Sequence, residues 1–156
     1  MLAFGHHRAR ATVQFFVGPL RRSKAKMAIP PPIKRPALLC VDDDPGMREL
    51  YQALLGSHGF EVFVAADARH ALELFHSKEK EIAVVLLDYE MPGMNGFELA
   101  AVLKRCNPRL PVIMVSGRLA VLEDLPHFVD AAMGKGAPIE ELVDQIETLR
   151  AIPGLQ

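Results

Sequence analysis

The stretch IAVVLLDYEMPGMNGFEL, residues 82–99, decides how the rest of the chain is read. Ile82 to Leu87 is an uncharged apolar run, the pattern of a strand covered on both faces of a parallel sheet. The run ends abruptly in a carboxylate, Asp88. Pro92, Gly93, Asn95 and Gly96 then supply turn formers, and Gly96 opens an amphipathic helix running to Arg105. In open α/β sheets the carboxyl ends of the strands are where ligands gather. A lone strand-terminal Asp more often caps a turn, so the functional reading depends on what ends the other strands.

Working outward, the same alternation of short apolar runs and helical periods recurs. Ala37 to Val41 reads as a buried strand ending in Asp42-Asp43-Asp44, with Asp44 as N-cap and Pro45 as first residue of a helix. That helix is stopped between Gly56 and Gly59. Phe60 to Val64 is a second strand, and Asp67 caps a second helix. Beyond residue 105, Leu110 to Val115 is a fourth strand ending at Ser116-Gly117, and Phe128 to Met133 a fifth ending near Lys135. Pro126 limits any helix between them to about two turns. Ile139 to Leu149 is a final helix with one apolar face. Strand and helix repeat five times, which predicts an α/β fold: a doubly wound five-stranded parallel sheet, flavodoxin-like, with helices on both faces. The second strand, ending in Ala65-Ala66, brings no chemistry and belongs at the outside.

Charge divides the chain. All 19 acidic residues lie at or beyond Asp42; the first 41 residues carry +8 and the remaining 115 carry -9. We read residues 1–35 as a basic, disordered leader, 36–150 as the domain and 151–156 as a short tail. The leader is a disordered tail or a misassigned start, with Met27 the true first residue. A transit peptide, or an arm touching nucleic acid or anionic lipid, is the other reading. His6-His7 has no spaced partner ligands and is not read as a metal site. No apolar run reaches the roughly 18 to 20 residues of a membrane span. Cys40 and Cys106 fit reduced thiols in a cytoplasmic protein better than a disulfide frame.

The polar strand ends converge on one edge of such a sheet: Asp42 to Asp44, Asp88, Ser116 and Lys135. Clustered carboxylates repel one another unless a cation intervenes. A hard divalent ion with oxygen ligands suits them, Mg²⁺ beside a substrate phosphate best of all. A lysine and a hydroxyl facing the same carboxylates can bind the remaining phosphoryl oxygens. Asp88 would then be the nucleophile, forming an acyl phosphate. Taken singly, each residue has a plainer role, as cap, turn former or solvated charge.

With these residues placed, residues 36–150 resemble the response regulator receiver domain of two-component signalling, of the CheY-like, stand-alone type. LLCVDDDPGMREL, VVLLDYEMPGMNGFEL, VIMVSG and the lysine of MGKGAPIEEL carry the resemblance. It implies that Asp88 accepts a phosphoryl group from a phosphohistidine on a sensor histidine kinase or histidine phosphotransfer protein. It also implies that Asp42, Asp43, Asp88 and the Glu90 backbone carbonyl hold Mg²⁺. Ser116 and Lys135 would bind phosphoryl oxygens, and the signal would pass to a downstream target protein. Such a domain takes part in its own phosphoryl transfer without being a turnover enzyme.

Three departures qualify what is carried over. Gly136 follows Lys135 where proline is usual, Ala132 stands where a switch aromatic usually sits, and the Ser116–Lys135 stretch is short. These features favour the alternative, a pseudo-receiver that binds partners without phosphorylation. Glu90 and Arg118 carry opposite charges at positions flanking the site and are expected to pair over it, slowing hydrolysis of the acyl phosphate. An aspartate-nucleophile phosphatase would place a second Asp where Glu90 stands, and DNA binding would be only an accessory of the leader.

Overall fold

In the computed structural model, which describes residues 35–118, 120 and 123–153, each apolar run becomes a strand of one sheet. The strands are β1 (Ala37–Val41), β2 (Glu61–Ala65), β3 (Ile82–Asp88), β4 (Val112–Ser116) and β5 (Ala131–Gly134). All four pairings are parallel and the order is β2-β1-β3-β4-β5, with β2 at an edge as expected. The helices are α1 (Pro45–Ser57), α2 (Ala68–Lys78), α3 (Gly96–Cys106) and α4 (Ile139–Ala151).

Successive strand residues point to opposite faces, and the core splits accordingly. Leu39, Val85, Leu87 and Met114 face one side, where Phe75 of α2 and Leu99 and Leu103 of α3 cover them. Leu38, Val84, Leu86 and Ile113 face the other, under Tyr51 and Leu55 of α1 and Leu142 and Ile146 of α4. Because both faces are covered, β3 has no polar position until Asp88. Each fully buried Leu contributes about 1.5–3 kcal/mol of burial free energy.

Local chemistry fixes the helix starts. The Asp44 carboxylate accepts from the N–H groups of Gly46 and Met47, with Pro45 at the first helical position. Asp67 accepts from the His70 N–H at 2.8 Å, and that bond holds its carboxyl below the ordinary range. At α3 the Asn95 side chain accepts from the Glu98 N–H while the Glu98 carboxylate accepts from the Asn95 N–H, a reciprocal cap.

Several expected boundaries move, each for a visible reason. Phe60 stays outside β2 because its N–H donates to Leu55 O and closes the end of α1. Leu110 stays outside β4 because its N–H donates to Asn107 O, tightening the turn after α3. The largest correction is β5, expected from Phe128 but beginning at Ala131. A turn with Val129 N–H bonded to Pro126 O holds 126–129, so Phe128 packs sideways into the α2–α3 core. Helices α3 and α4 end at Cys106 and Ala151, one and two residues beyond their expected ends. Among the described residues there are four α-helices and no α-helix joins β4 to β5; residues 119, 121 and 122 of the weak segment expected there lie outside the described residues. The leader with His6-His7 and Met27, and the last residues 154–156, lie outside the described residues.

Candidate functional site

The carboxyl edge of the sheet gathers the expected residues. Asp42 follows β1 directly, its N–H still bonded to Ala65 O of β2 at 3.1 Å, and it is 2% exposed. Asp88 is the last residue of β3, opposite Val115 in the register, and is 3% exposed. Ser116 closes β4 and is fully buried. Lys135 follows β5, and its N–H donates to Ser116 O at 3.0 Å, as though extending the ladder.

Lys135 ties the edge together. Its ammonium donates to Asp88 Oδ2 at 2.8 Å and lies 2.9 Å from Asp42 Oδ2. Asp42 Oδ1 accepts from the Asp44 N–H at 2.9 Å, and Asp88 Oδ1 from the Glu90 N–H at 3.1 Å. Both buried carboxylates are thus aimed by one backbone amide and one shared cation. Burial pushes the Asp88 carboxyl above its ordinary value; the Lys135 and Glu90 hydrogen bonds only partly oppose this, and the Asp42 charge adds to the rise. Burial alone would lower Lys135, but its bonds to Asp88 and Asp42 outweigh it and leave the ammonium more basic than usual.

Asp43 is exposed and completes a trio. One carboxylate oxygen from each of Asp42, Asp43 and Asp88 lies within 4.8 Å of the others. Three carboxylates against one ammonium leave the cluster negative, with oxygen donors only. That donor set fits a hard divalent cation such as Mg²⁺, and excludes the soft sites built from thiolates. Cys40 takes no part: burial, reinforced by Asp42, drives its thiol pKa far upward and keeps it protonated.

Ser116 and Glu90 are placed differently from the other four expected site residues, Asp42, Asp43, Asp88 and Lys135. The Ser116 hydroxyl accepts from the Arg118 N–H at 3.0 Å, so in this conformation it serves a local turn. Glu90 enters the site through its amide, while its side chain meets Arg118 at 2.7 Å, as the opposite charges suggested. That pair is solvent-exposed, 66% and 48% for the two side chains, so its contribution to stability is small.

Gly96 explains the spacing between Asp88 and α3. A Cβ there would collide with the Asp88 carbonyl oxygen and come within 2.8 Å of the Met114 sulfur. Its N–H donates to Tyr89 O at 3.0 Å, so the first turn of α3 is pressed against the end of β3. Gly93 supplies the positive φ, +81°, that the intervening loop needs. One contributor to the acidic loop was not foreseen. Arg48 of α1 donates from Nη1 to the backbone carbonyls of Asp42 and Asp43. In sequence it reads only as a charge on a helix surface.

Residues 38–146 match the response regulator receiver domain family. The chain belongs to that family. The transcriptional regulatory protein for alkaline phosphatase synthesis, SphR, of Synechococcus elongatus is 33% identical over 109 residues, 64% of this chain and 42% of SphR. The response regulator MprA of Mycolicibacterium vanbaalenii is 32% identical over 115 residues, 72% of this chain and 49% of MprA. The receiver therefore spans less than half the length of either curated relative. Among solved structures, the response regulator TrrA of Thermotoga maritima in complex with Mg²⁺-BeF superposes with a TM-score of 0.68 at 30% identity, covering 72% of this chain and 97% of TrrA. TrrA in complex with the histidine kinase ThkA gives 0.66 at 29% identity, over 72% of this chain and 97% of TrrA. The receiver fold and the two-component setting anticipated from the acidic pair and the Asp88 motif are thereby established. No described helix is long and apolar enough to cross a membrane.

Proposed function

We propose that this receiver accepts a phosphoryl group on Asp88 from a phosphohistidine of a sensor histidine kinase or histidine phosphotransfer protein, and signals to a target protein. The observation that carries this reading is Lys135, which bonds both Asp42 and Asp88 at the sheet edge. In the transfer, an Asp88 carboxylate oxygen forms the O–P bond as the N–P bond to imidazole breaks, the electron pair leaving with the nitrogen. Lys135 would follow the phosphoryl oxygens, exchanging its bond to the carboxylate for one to the phosphate. Ser116 would contribute its hydroxyl after leaving the Arg118 amide. Asp42, Asp43, Asp88 and the Glu90 carbonyl would hold Mg²⁺, which when bound neutralises charge on the transferring group. The protein would act once per phosphorylation and not as a turnover enzyme, and the two free cysteines suit a cytoplasmic setting.

The test is intact mass after incubation with acetyl phosphate, with and without Mg²⁺, beside Asp88→Asn. A Mg²⁺-dependent phosphoryl adduct absent from the variant is expected. No adduct on a folded wild type would favour the second reading, a partner-binding pseudo-receiver. That reading draws on Ala132 in place of an aromatic and on the Ser116 hydroxyl being engaged by Arg118.

A further inference from the structure

We propose that Arg48 is a positioning residue for the divalent cation, acting through the backbone of the loop that carries the acidic pair. This rests on the reading of Asp42 and Asp43 as metal ligands. One guanidinium nitrogen of Arg48, Nη1, donates to Asp42 O at 2.7 Å and to Asp43 O at 2.9 Å. A terminal guanidinium nitrogen carries two hydrogens, so a single nitrogen can serve both carbonyls.

The location gives these two bonds their consequence. Only Asp42 and Asp43 lie between the last residue of β1 and the N-cap of α1 at Asp44. The two acidic side chains are not equally held. Asp42 is buried and fixed by the Asp44 amide and by Lys135. The Asp43 carboxylate is exposed and, among the described residues, has no hydrogen bond or ion pair of its own. Its aim is therefore set by the orientation of its peptide, and Arg48 fixes that orientation through the Asp42 and Asp43 carbonyls. Arg48 is itself anchored on α1, whose cap belongs to the same loop, so strand end, loop and helix close a short ring.

Two effects of Arg48 on a cation oppose each other, which makes the inference sharp. As a nearby positive charge it repels a divalent ion. As a clamp on the ligand loop it pre-organises the oxygens that receive one, and losing a group that orients metal ligands typically weakens affinity about 10- to 100-fold. The two accounts predict shifts of opposite sign when the charge is removed.

The experiment is Mg²⁺ titration by calorimetry of the wild type, Arg48→Met and Arg48→Lys. It is paired with the rate of adduct formation from acetyl phosphate across Mg²⁺ concentrations and with circular dichroism. Arg48→Met is expected to bind Mg²⁺ about tenfold more weakly, and Arg48→Lys to recover part of the loss because an ammonium can still reach a carbonyl. The adduct rate should need more Mg²⁺ yet reach the wild-type plateau. Unchanged or tighter binding in Arg48→Met overturns the proposal, as does a lowered plateau with an unshifted Mg²⁺ requirement, the sign of general structural damage. If Arg48→Met proves poorly folded, Arg48→Gln takes its place with the same expected shift. A wild type that binds no Mg²⁺ removes the metal reading itself, an outcome distinct from a wild type that binds and a variant that binds equally well.

Discussion

The two halves of the sheet edge are built to different standards. Around β1 and β3, every element that carries a site residue is fixed by several independent bonds. Asp42 and Asp88 are each held by an amide and by Lys135, the Asp44 cap starts α1, and Gly96 seats α3 against the end of β3. Around β4 and β5, β5 has four residues, all of them half-buried, and among the described residues no α-helix separates the two strands. There the Ser116 hydroxyl serves a turn, and a methyl group stands where an aromatic is usual. The contrast teaches that the carboxylates and the hydroxyl of this sheet edge are held by independent contacts. The Asp42–Asp88 side is cross-tied by Lys135, while the Ser116 side is held by its own turn.

The largest expected effect tests whether that contrast is energetic. Leu99→Ala, at a fully buried position on α3, should lower the unfolding free energy by about 2–5 kcal/mol in urea titrations. Phe128→Ala, at a partly buried position before β5, should cost clearly less than the roughly 3–5 kcal/mol typical of core Phe truncations. Equal costs would show the β5 side to be as tightly built and would erase the distinction.

Gly96→Ala comes next. The added methyl forces the Asp88 backbone and the Met114 sulfur apart, an overpacking cost of about 1–3 kcal/mol. It should also slow adduct formation at Asp88, whereas Gly136→Ala, at an open position, should leave stability nearly unchanged.

A third test sharpens the comparison through pH. The Asp88 carboxyl lies above its ordinary 3.8 in the folded protein, so in that interval the unfolded chain gives up the proton first. The metal-free wild type therefore holds this contribution below 3.8 and loses it as pH rises through the folded value. Asp88→Asn lacks the effect, so its stability relative to wild type should climb over that window. A flat difference between the two across pH would contradict the burial of charge at Asp88.

The smallest structural effect should accompany a clear functional one. Glu90→Ala removes an exposed pair worth about 0–1 kcal/mol, so thermal stability should barely change. The phosphorylated form should nevertheless lose its adduct faster, because Glu90 and Arg118 pair beside the Asp88 loop. An unchanged half-life, followed by mass, would count against that shielding role.

How far these features could be read in advance differs between the halves as well. The β1 and β3 ends were legible because local rules agree there: an uninterrupted apolar run, a carboxylate, a cap and a proline leave little freedom. The β5 boundary was not, since the mixed run from Phe128 to Met133 satisfies a strand pattern although the Pro126 turn rolls Phe128 into the core. Arg48 escaped notice because nothing in a sequence distinguishes a solvated helix arginine from one reaching back to two carbonyls. The pairing of Glu90 with Arg118 was legible from their opposite charges at two positions that the family resemblance places beside the site, whereas the Ser116 hydroxyl's bond to a backbone amide depends on the turn that follows it.

Asp130 has a consequence beyond its own neighbourhood. Just ahead of β5, its carboxylate accepts from the Val112 N–H at 2.8 Å and from Lys104 at 2.7 Å, while its own N–H donates to Val112 O. This staple sets where β5 begins whatever the length of chain that precedes it. The β4–β5 connection is therefore the natural place for insertions and deletions: lengthening a loop adds closure entropy only slowly, and the register that delivers Lys135 to Asp88 is fixed downstream of the change. Changes of length in that connection should therefore leave Lys135 on the two buried carboxylates.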